Sequence, residues 1–268
     1  MRRYSAQAVL ALLWLLILTL GAFASSSFGP DPLAIDLGNR LVAPGAAYLL
    51  GADELGRSFA ARFWRAGQFT LLVTVASTAL SLFIGLILGL IAGWYGGWVD
   101  RIVHGLIALF WSVPLAVFAV LALTVLGPGL GPLIFVIGCI NWVGSARIVR
   151  TATMELRQAA FVRAARALGL PAWRVLLVHV LPNLARTVTV LTGFGAAEII
   201  ALESGLAYLG LSARPPSPTW GGMMADGIPY LGPAWWLSLI PAIGVILTIW
   251  ALRTLALSIS KWATHGER

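Results

Sequence analysis

Six apolar runs, at roughly 6–24, 69–93, 103–126, 131–149, 187–208 and 236–257, limit what this chain can fold into. Each is about 18–25 residues long, the length a helix needs to cross a hydrocarbon core of ~30 Å. Inside lipid, every backbone N–H and C=O must find its partner within the protein, so the spans are helices. Only 10% of the 268 residues are charged and 59% are hydrophobic, too few charges to solvate a globule of this size. The expected fold is an all-α integral membrane protein with six transmembrane helices. Gly85, Gly89, Gly93, Gly193 and Gly195 fall within the spans, where small residues allow helices to approach closely.

Arg2, Arg3, the first apolar run and Ala22-Phe23-Ala24 together mimic a secretory signal peptide. The run exceeds a usual signal core and further spans follow it, so it reads as an uncleaved first helix. The chain then divides into a first helix with an extracytoplasmic segment (1–68), a membrane domain (69–257) and a cytoplasmic tail (258–268). Residues 25–68 are turn-rich, marked by Gly29-Pro30-Asp31-Pro32 and Ala43-Pro44-Gly45. Residues 209–235 carry the stiff Arg214-Pro215-Pro216-Ser217-Pro218. No long internal repeat is evident, which argues against a carrier built from inverted repeats within one chain.

The net charge of +8 comes from arginine, with Lys261 the single lysine. If the N-terminus is cytoplasmic, six spans return the C-terminus to the same side. Arg40, Arg57, Arg62, Arg65 and Arg214 then face outward, and the other thirteen of the 18 basic residues face inward. That is the positive-inside bias, so the charge reads as membrane topology rather than as nucleic-acid binding. Trp94, Trp98, Trp235 and Trp236 read as interfacial belt residues.

Between the fourth and fifth spans lies a basic island, Glu155–Pro182, containing Arg157, Arg163, Arg166 and Arg174. Glu155 to Leu168 is rich in helix formers. Gly169 stands where a left-handed C-terminal cap belongs. Pro171 suits the first turn of a second helix, and Pro182 is expected to stop it. Ala164 and Ala165 leave the first helix thin near its end. Such a helix can enter a groove on another protein, with arginines pairing to acidic groups there. The same residues also fit an amphipathic helix lying on anionic lipid headgroups.

Little in the chain supports catalysis. Lys261 sits in Ser260-Lys261-Trp262, so no Gly-rich phosphate loop ending in Gly-Lys-Ser/Thr is present. His104, His179 and His265 are far apart, and Cys139 is alone inside an apolar run, so no metal-ligand spacing or disulfide framework arises. Glu198 and Glu203 fall in the fifth span, where an ionisable group is a functional candidate by default. Five helical residues separate them by about 140° around the axis, so they occupy different faces. Either can line a translocation path or bond a neighbouring helix. An intramembrane hydrolase would need both as an acid pair. Asp53, Glu54 and Arg57, on the outer side, read either as contacts for an outside partner or as capping and ion pairing of an amphipathic helix.

The island resembles the coupling segment of ABC importer permeases, usually written Glu-Ala-Ala, three residues, Gly, nine residues, Ile-x-Leu-Pro. Ala164, Ala165, Gly169, Leu181 and Pro182 match; Arg163 replaces the leading Glu and His179 the Ile. Gly51-Ala52-Asp53-Glu54-Leu55-Gly56-Arg57, Gly93-Trp94-Tyr95-Gly96-Gly97-Trp98-Val99-Asp100 and Ala146-Arg147-Ile148-Val149-Arg150 are similar to segments of the dipeptide/oligopeptide/nickel permease subfamily. So are Tyr208-Leu209-Gly210-Leu211 and Pro215-Pro216-Ser217-Pro218-Thr219-Trp220-Gly221. The matches run from about residue 30 to 250. The resemblance implies the type I ABC importer permease fold and a C-type subunit in a bacterial or archaeal cytoplasmic membrane. It implies as partners a homologous second permease, two ABC ATPases that use ATP and Mg, an extracytoplasmic solute-binding protein and membrane lipid. No catalytic residue, metal or cofactor is expected on this chain, and no nucleic acid. Arg163, Ala164, Ala165, Gly169, Leu181 and Pro182 would couple to the ATPases; at Arg163 the change of charge implies a compensating acidic partner. Glu203 matches a family acidic position near the outer end; Glu198, nearer the midplane, would meet a cationic group of the cargo. Peptide, nickel, metal-chelate and small-glycoside systems share this pattern. A stand-alone channel or secondary carrier, or a membrane scaffold, would explain the six spans but leave the island's punctuation unexplained.

Overall fold

The computed structural model describes residues 6–28, 30–46 and 48–264. Gly29 of the first turn cluster, Arg2, Arg3, Arg268 and His265 lie outside these residues. The described chain is all-helical, with one isolated antiparallel bridge, Ala52 to Ser58, and no strand among the described residues. The helices are α1 (Ala6–Phe28), α2 (Phe59–Tyr95), α3 (Gly97–Trp111), α4 (Leu115–Leu126), α5 (Leu130–Ile140) and α6 (Trp142–Arg157). After them come α7 (Ala160–Ala167), α8 (Ala172–Val175), α9 (Leu181–Tyr208), α10 (Trp220–Gly227) and α11 (Trp236–Thr264).

Five helical segments are long and apolar enough to cross a membrane: Ala6–Ala24, Phe59–Tyr95, Leu130–Arg157, Ala172–Tyr208 and Trp236–Ser260. A sixth is the pair α3 and α4, bent by 82°. The straight span expected at 103–126 is thus corrected to a broken one beginning at Gly97. Pro114 is the cause: it lacks an amide donor and disfavours helical backbone in Val113. Its own φ/ψ of −55°/127° takes the chain out of the helix. Rows of exposed leucine and isoleucine on α1, among them Leu10, Leu13, Leu16 and Leu20, suit contact with lipid rather than water.

The second span is longer than its apolar run. α2 holds 37 residues, about 56 Å of helix, and so projects beyond a ~30 Å core. It forms the spine of the bundle. Gly85, Gly89 and Gly93 recur every four residues on the face against α6. A Cβ at Gly89 would lie 2.7 Å from the Ala146 carbonyl oxygen, and one at Gly93 2.6 Å from that of Arg150. The backbones touch there only because the side chains are absent. Gly193 does the same against Ala256 of α11, whereas Gly195 faces open space, contrary to the expectation of close packing.

The bundle has two distinct ends. At one, the start of α2 meets α10 and α11 around Phe59, Phe63, Trp220, Trp236 and Leu237. The Trp220 indole donates to the Phe63 carbonyl at 3.1 Å. At the other, Trp94 at the end of α2 packs with Val149, Val162, Val175, Val180 and Leu184. Two of the four belt tryptophans are therefore core: Trp94 and Trp236 are buried, while Trp98 and Trp235 are exposed.

Candidate functional site

The island folds as a cradle beneath the ends of α2, α6 and α9. The single helix expected from Glu155 to Leu168 is interrupted. α6 ends at Arg157, Ala159 is extended (φ −64°, ψ 146°), and α7 restarts at Ala160. The cap at Gly169 forms as the spacing requires. Gly169 has φ +78°, its N–H donates to the Arg166 carbonyl at 3.0 Å, and the Leu170 N–H reaches the Ala165 carbonyl at 3.3 Å. These are the two bonds of a Schellman ending. α7 buries Val162 and Ala165 and exposes Arg163, Ala164 and Arg166. Leu168 and Trp173 are exposed beside them. Small, basic and apolar groups therefore share one open surface. The Arg166 guanidinium also lies 5.6 Å above the Trp94 ring, which ties α7 to the spine.

Pro182 does not stop a helix. Pro171 caps α8, and the chain continues through a π-helical turn, Leu176–Val180, into α9. A proline in regular helix would collide with the carbonyl four residues back. The wider turn carries the chain past Pro182, with the Leu181 N–H donating to the Leu176 carbonyl in an i→i+5 bond. Asn183 Nδ2 donates to the His179 carbonyl at 2.7 Å across the same turn. α8 is consequently joined without a break in helix to the span that carries Glu198. Leu181 is half-buried and Pro182 exposed.

A pair that sequence reasoning missed braces this end. Asp100, in the first turn of α3, accepts both Nε and Nη2 of Arg150 on α6, the latter at 2.7 Å. Arg147, one turn earlier, stacks 4.8 Å over Trp111. Asp100 and Arg150 each belong to a segment that resembles the permease subfamily, but their fifty-residue separation hides the pairing.

Between α2, α6 and α9 is a cavity of about 470 Å³, lined by Thr78 and Ser81 of α2, Gly144, Ser145 and Ile148 of α6, and Arg186, Phe194 and Glu198 of α9. Glu198 is exposed in it. Glu203 is not part of this cavity. It is fully buried, and its two oxygens accept from Thr70 Oγ1 at 3.2 Å and Ser212 Oγ at 3.0 Å. The two acids thus have different surroundings, as their angular separation requires.

Asp53, Glu54 and Arg57 lie at the opposite end, in a folded turn ahead of α2 rather than on an amphipathic helix. Asp53 is 2% exposed. Its Oδ1 accepts the Leu55 and Arg57 amides at 2.9 Å and its Oδ2 accepts Arg57 Nε at 2.6 Å. Arg57 Nη2 donates to Glu54 at 2.7 Å. Arg62, from the first turn of α2, approaches Asp53 Oδ2 at 3.2 Å. The sequence offered no sign that Arg62 joins this network. Beside it a second cavity, of about 520 Å³, is walled by Arg57, Arg62, Asp226 and the Pro215–Pro218 loop. Desolvation raises the Asp226 carboxyl above the ordinary carboxylate range, against the opposing pull of Arg62 and Arg57. Among the described residues no cluster of three or more His, Cys, Asp or Glu is placed to hold a metal.

Apolar helices stacked through small residues, with a basic capped helix–turn–helix at one end, define a polytopic membrane protein of the transport-permease class. The chain belongs to the family described as binding-protein-dependent transport system inner membrane component, whose profile matches residues 85–264. It is 32% identical over 213 residues to the dipeptide transport system permease protein DppC of Bacillus subtilis (strain 168), covering 79% of this chain and 67% of that one. It is 34% identical over 202 residues to the oligopeptide transport system permease protein OppC of Haemophilus influenzae, covering 75% and 65%. To the probable D,D-dipeptide transport system permease protein DdpC of Escherichia coli (strain K12) it is 30% identical over 241 residues, covering 90% and 80%. The expected fold and the expected ABC importer permease family both hold.

Proposed function

We propose that this chain forms half of the translocation pathway for peptides or a related small solute, with a homologous second permease forming the other half. The observation that carries the reading is the exposed trio Arg163, Ala164 and Arg166 of α7, ended by the Gly169 cap and followed by α8, which runs through the π turn into α9. The names of the relatives support peptide cargo. In this reading the α7 end is cytoplasmic, as are both termini, and two ATPases dock there and use ATP and Mg. A solute-binding protein delivers cargo at the opposite end, near Asp53, Glu54 and Arg57. ATPase closure then favours one of two bundle arrangements, and α9 transmits the movement to the Glu198 cavity. Glu198 would meet a cationic group of the cargo there.

The test is reconstitution of the chain with its candidate partners in vesicles, with the solute-binding protein inside or outside. ATP-dependent uptake of peptide, lost when Ala164→Trp blocks the groove contact, is the expected result. A transport-active chain isolated without any ATPase would overturn it. Normal uptake by Glu198→Gln would remove the path role of that residue.

A further inference from the structure

Arg147 is an exposed cation inside a membrane span, and its own chain does not neutralise it. It lies within the Leu130–Arg157 segment. Its guanidinium stacks 4.8 Å over Trp111, the last residue of α3. Trp111 stands at the middle of the broken span, with the 15 residues of α3 leading to it and the 12 of α4 beyond. The ring and the C-terminal end of α3 both favour a cation there. Even so, among the described residues no carboxylate forms a salt bridge with Arg147 and no acceptor takes its guanidinium N–H donors. Asp100 of α3 is already held by Arg150.

The surface around Arg147 is not one that suits lipid. Pro114 has no amide to offer the Phe110 carbonyl, and irregular backbone at membrane depth is tolerated only against protein or water. On α6, Gly144, Arg147, Ile148 and Thr151 follow at helical spacing and are all exposed. A Cβ at Gly144 would meet nothing within 4 Å. Small and polar groups mark helix-packing faces in membranes. The exposed face of α2 is different, with Leu72, Val75, Phe83, Ile87 and Ile91, large apolar groups that suit lipid. Gly144 and Ile148 also line the Glu198 cavity, so the α6 face is continuous with it.

We propose that the α3/α4 break and the Gly144–Thr151 face of α6 form a contact surface for the second permease subunit, which seats an aspartate or glutamate side chain on the Arg147 guanidinium. The proposal rests on the importer reading and adds to it where the subunits meet and by what chemistry. A carboxylate matches the planar fork of donors that Arg147 leaves open. A lipid phosphate is the other available anion. Side chains on a helix lean toward its N-terminus, and that lean carries Arg147 away from the island end and onto Trp111 at mid-span, not out to the headgroups. An intramembrane arginine in such a place pairs with another buried group.

The test co-expresses the tagged chain with its homologous permease and measures how much of that permease co-purifies. Arg147→Glu should lower the yield of the pair about tenfold or more, Arg147→Gln less, and Arg147→Lys least, since the charge remains. A photocrosslinking residue in place of Thr151 should join the two permeases, and an acid-to-arginine change near the cross-linked position should restore assembly of Arg147→Glu. If Arg147→Glu does not fold, the Thr151 cross-link and Arg147→Gln decide. Cross-linking of Thr151 to lipid alone overturns the proposal. So does a full yield of the pair with Arg147→Glu, and altered uptake by that intact pair would place Arg147 on the cargo path instead. In those outcomes the importer reading stands. Absence of any second permease with the parent chain would overturn both.

Discussion

Arg150 of α6 grips Asp100 of α3 with two parallel hydrogen bonds, Nε to Oδ1 and Nη2 to Oδ2, fifty residues apart in sequence. The pair fixes the tight Gly96-Gly97 turn, where both glycines have positive φ, against the helix that leads to the island. Removing one partner strands the other where each is only about one-fifth exposed (21% and 19%). Asp100→Asn should cost on the order of 1–3 kcal/mol. Arg150→Lys should not restore the loss, because an ammonium cannot make the planar fork. Thermal unfolding in nanodiscs measures both; unchanged melting in Asp100→Asn would show that the pair contributes nothing.

The α2–α6 contact predicts opposite outcomes for two glycines. Gly89→Ala places a methyl group 2.7 Å from the Ala146 carbonyl oxygen and should destabilise by about 1–3 kcal/mol through overpacking. Gly105→Ala, on α3, meets nothing within 4 Å and should be neutral or stabilising by up to ~1 kcal/mol. Parallel melts of the two variants check the contrast.

Gly169 should be sensitive for a different reason. A Cβ there has open space, but the backbone is left-handed at φ +78°. Gly169→Ala should cost about 1–2 kcal/mol, confined to the α7 ending, with Gly169→Asn milder. Hydrogen exchange at the Leu168–Leu170 amides should rise while the spans stay protected. Global destabilisation instead would mean that the cap supports more than α7.

Glu203 and Glu198 should separate by phenotype. Glu203→Leu leaves Thr70 and Ser212 without their acceptor and should cost about 1–3 kcal/mol. Glu203→Gln retains an oxygen for one of them and should be milder. Glu198→Gln should leave melting unchanged and reduce uptake of cargo bearing an ammonium. The reverse pattern would exchange the roles of the two acids.

The raised carboxyl of Asp226 carries a sign for pH dependence. Its folded pKa exceeds the ordinary value because burial disfavours the charge. Such a group favours the fold while protonated, and that contribution is lost as pH rises through the folded pKa. Asp226→Asn should therefore gain stability relative to the parent as pH rises above the ordinary carboxylate range. A melt series across pH checks it; a gain on acidification instead would show that attraction to Arg62 and Arg57 dominates.

Some of this protein was written locally in its chain. Span lengths follow from bilayer thickness, so the apolar runs alone foretold a six-span bundle, apart from the bend at Pro114. The Gly169 cap was legible because a left-handed residue is encoded by one position. The angle between Glu198 and Glu203 followed from helix geometry. Other features depended on partners distant in sequence, and no local pattern names a partner. Tertiary structure decided that Pro182 passes through a π turn, because the helix on either side is held by Val180 and Leu184 in the core beneath Trp94. It decided that Asp53 is buried, that Trp94 and Trp236 are core, and that Asp100 meets Arg150. It also set Arg62 and Asp226 on the walls of one cavity. A charge shows in sequence, but whether it is solvated or paired depends on what the folded chain brings beside it.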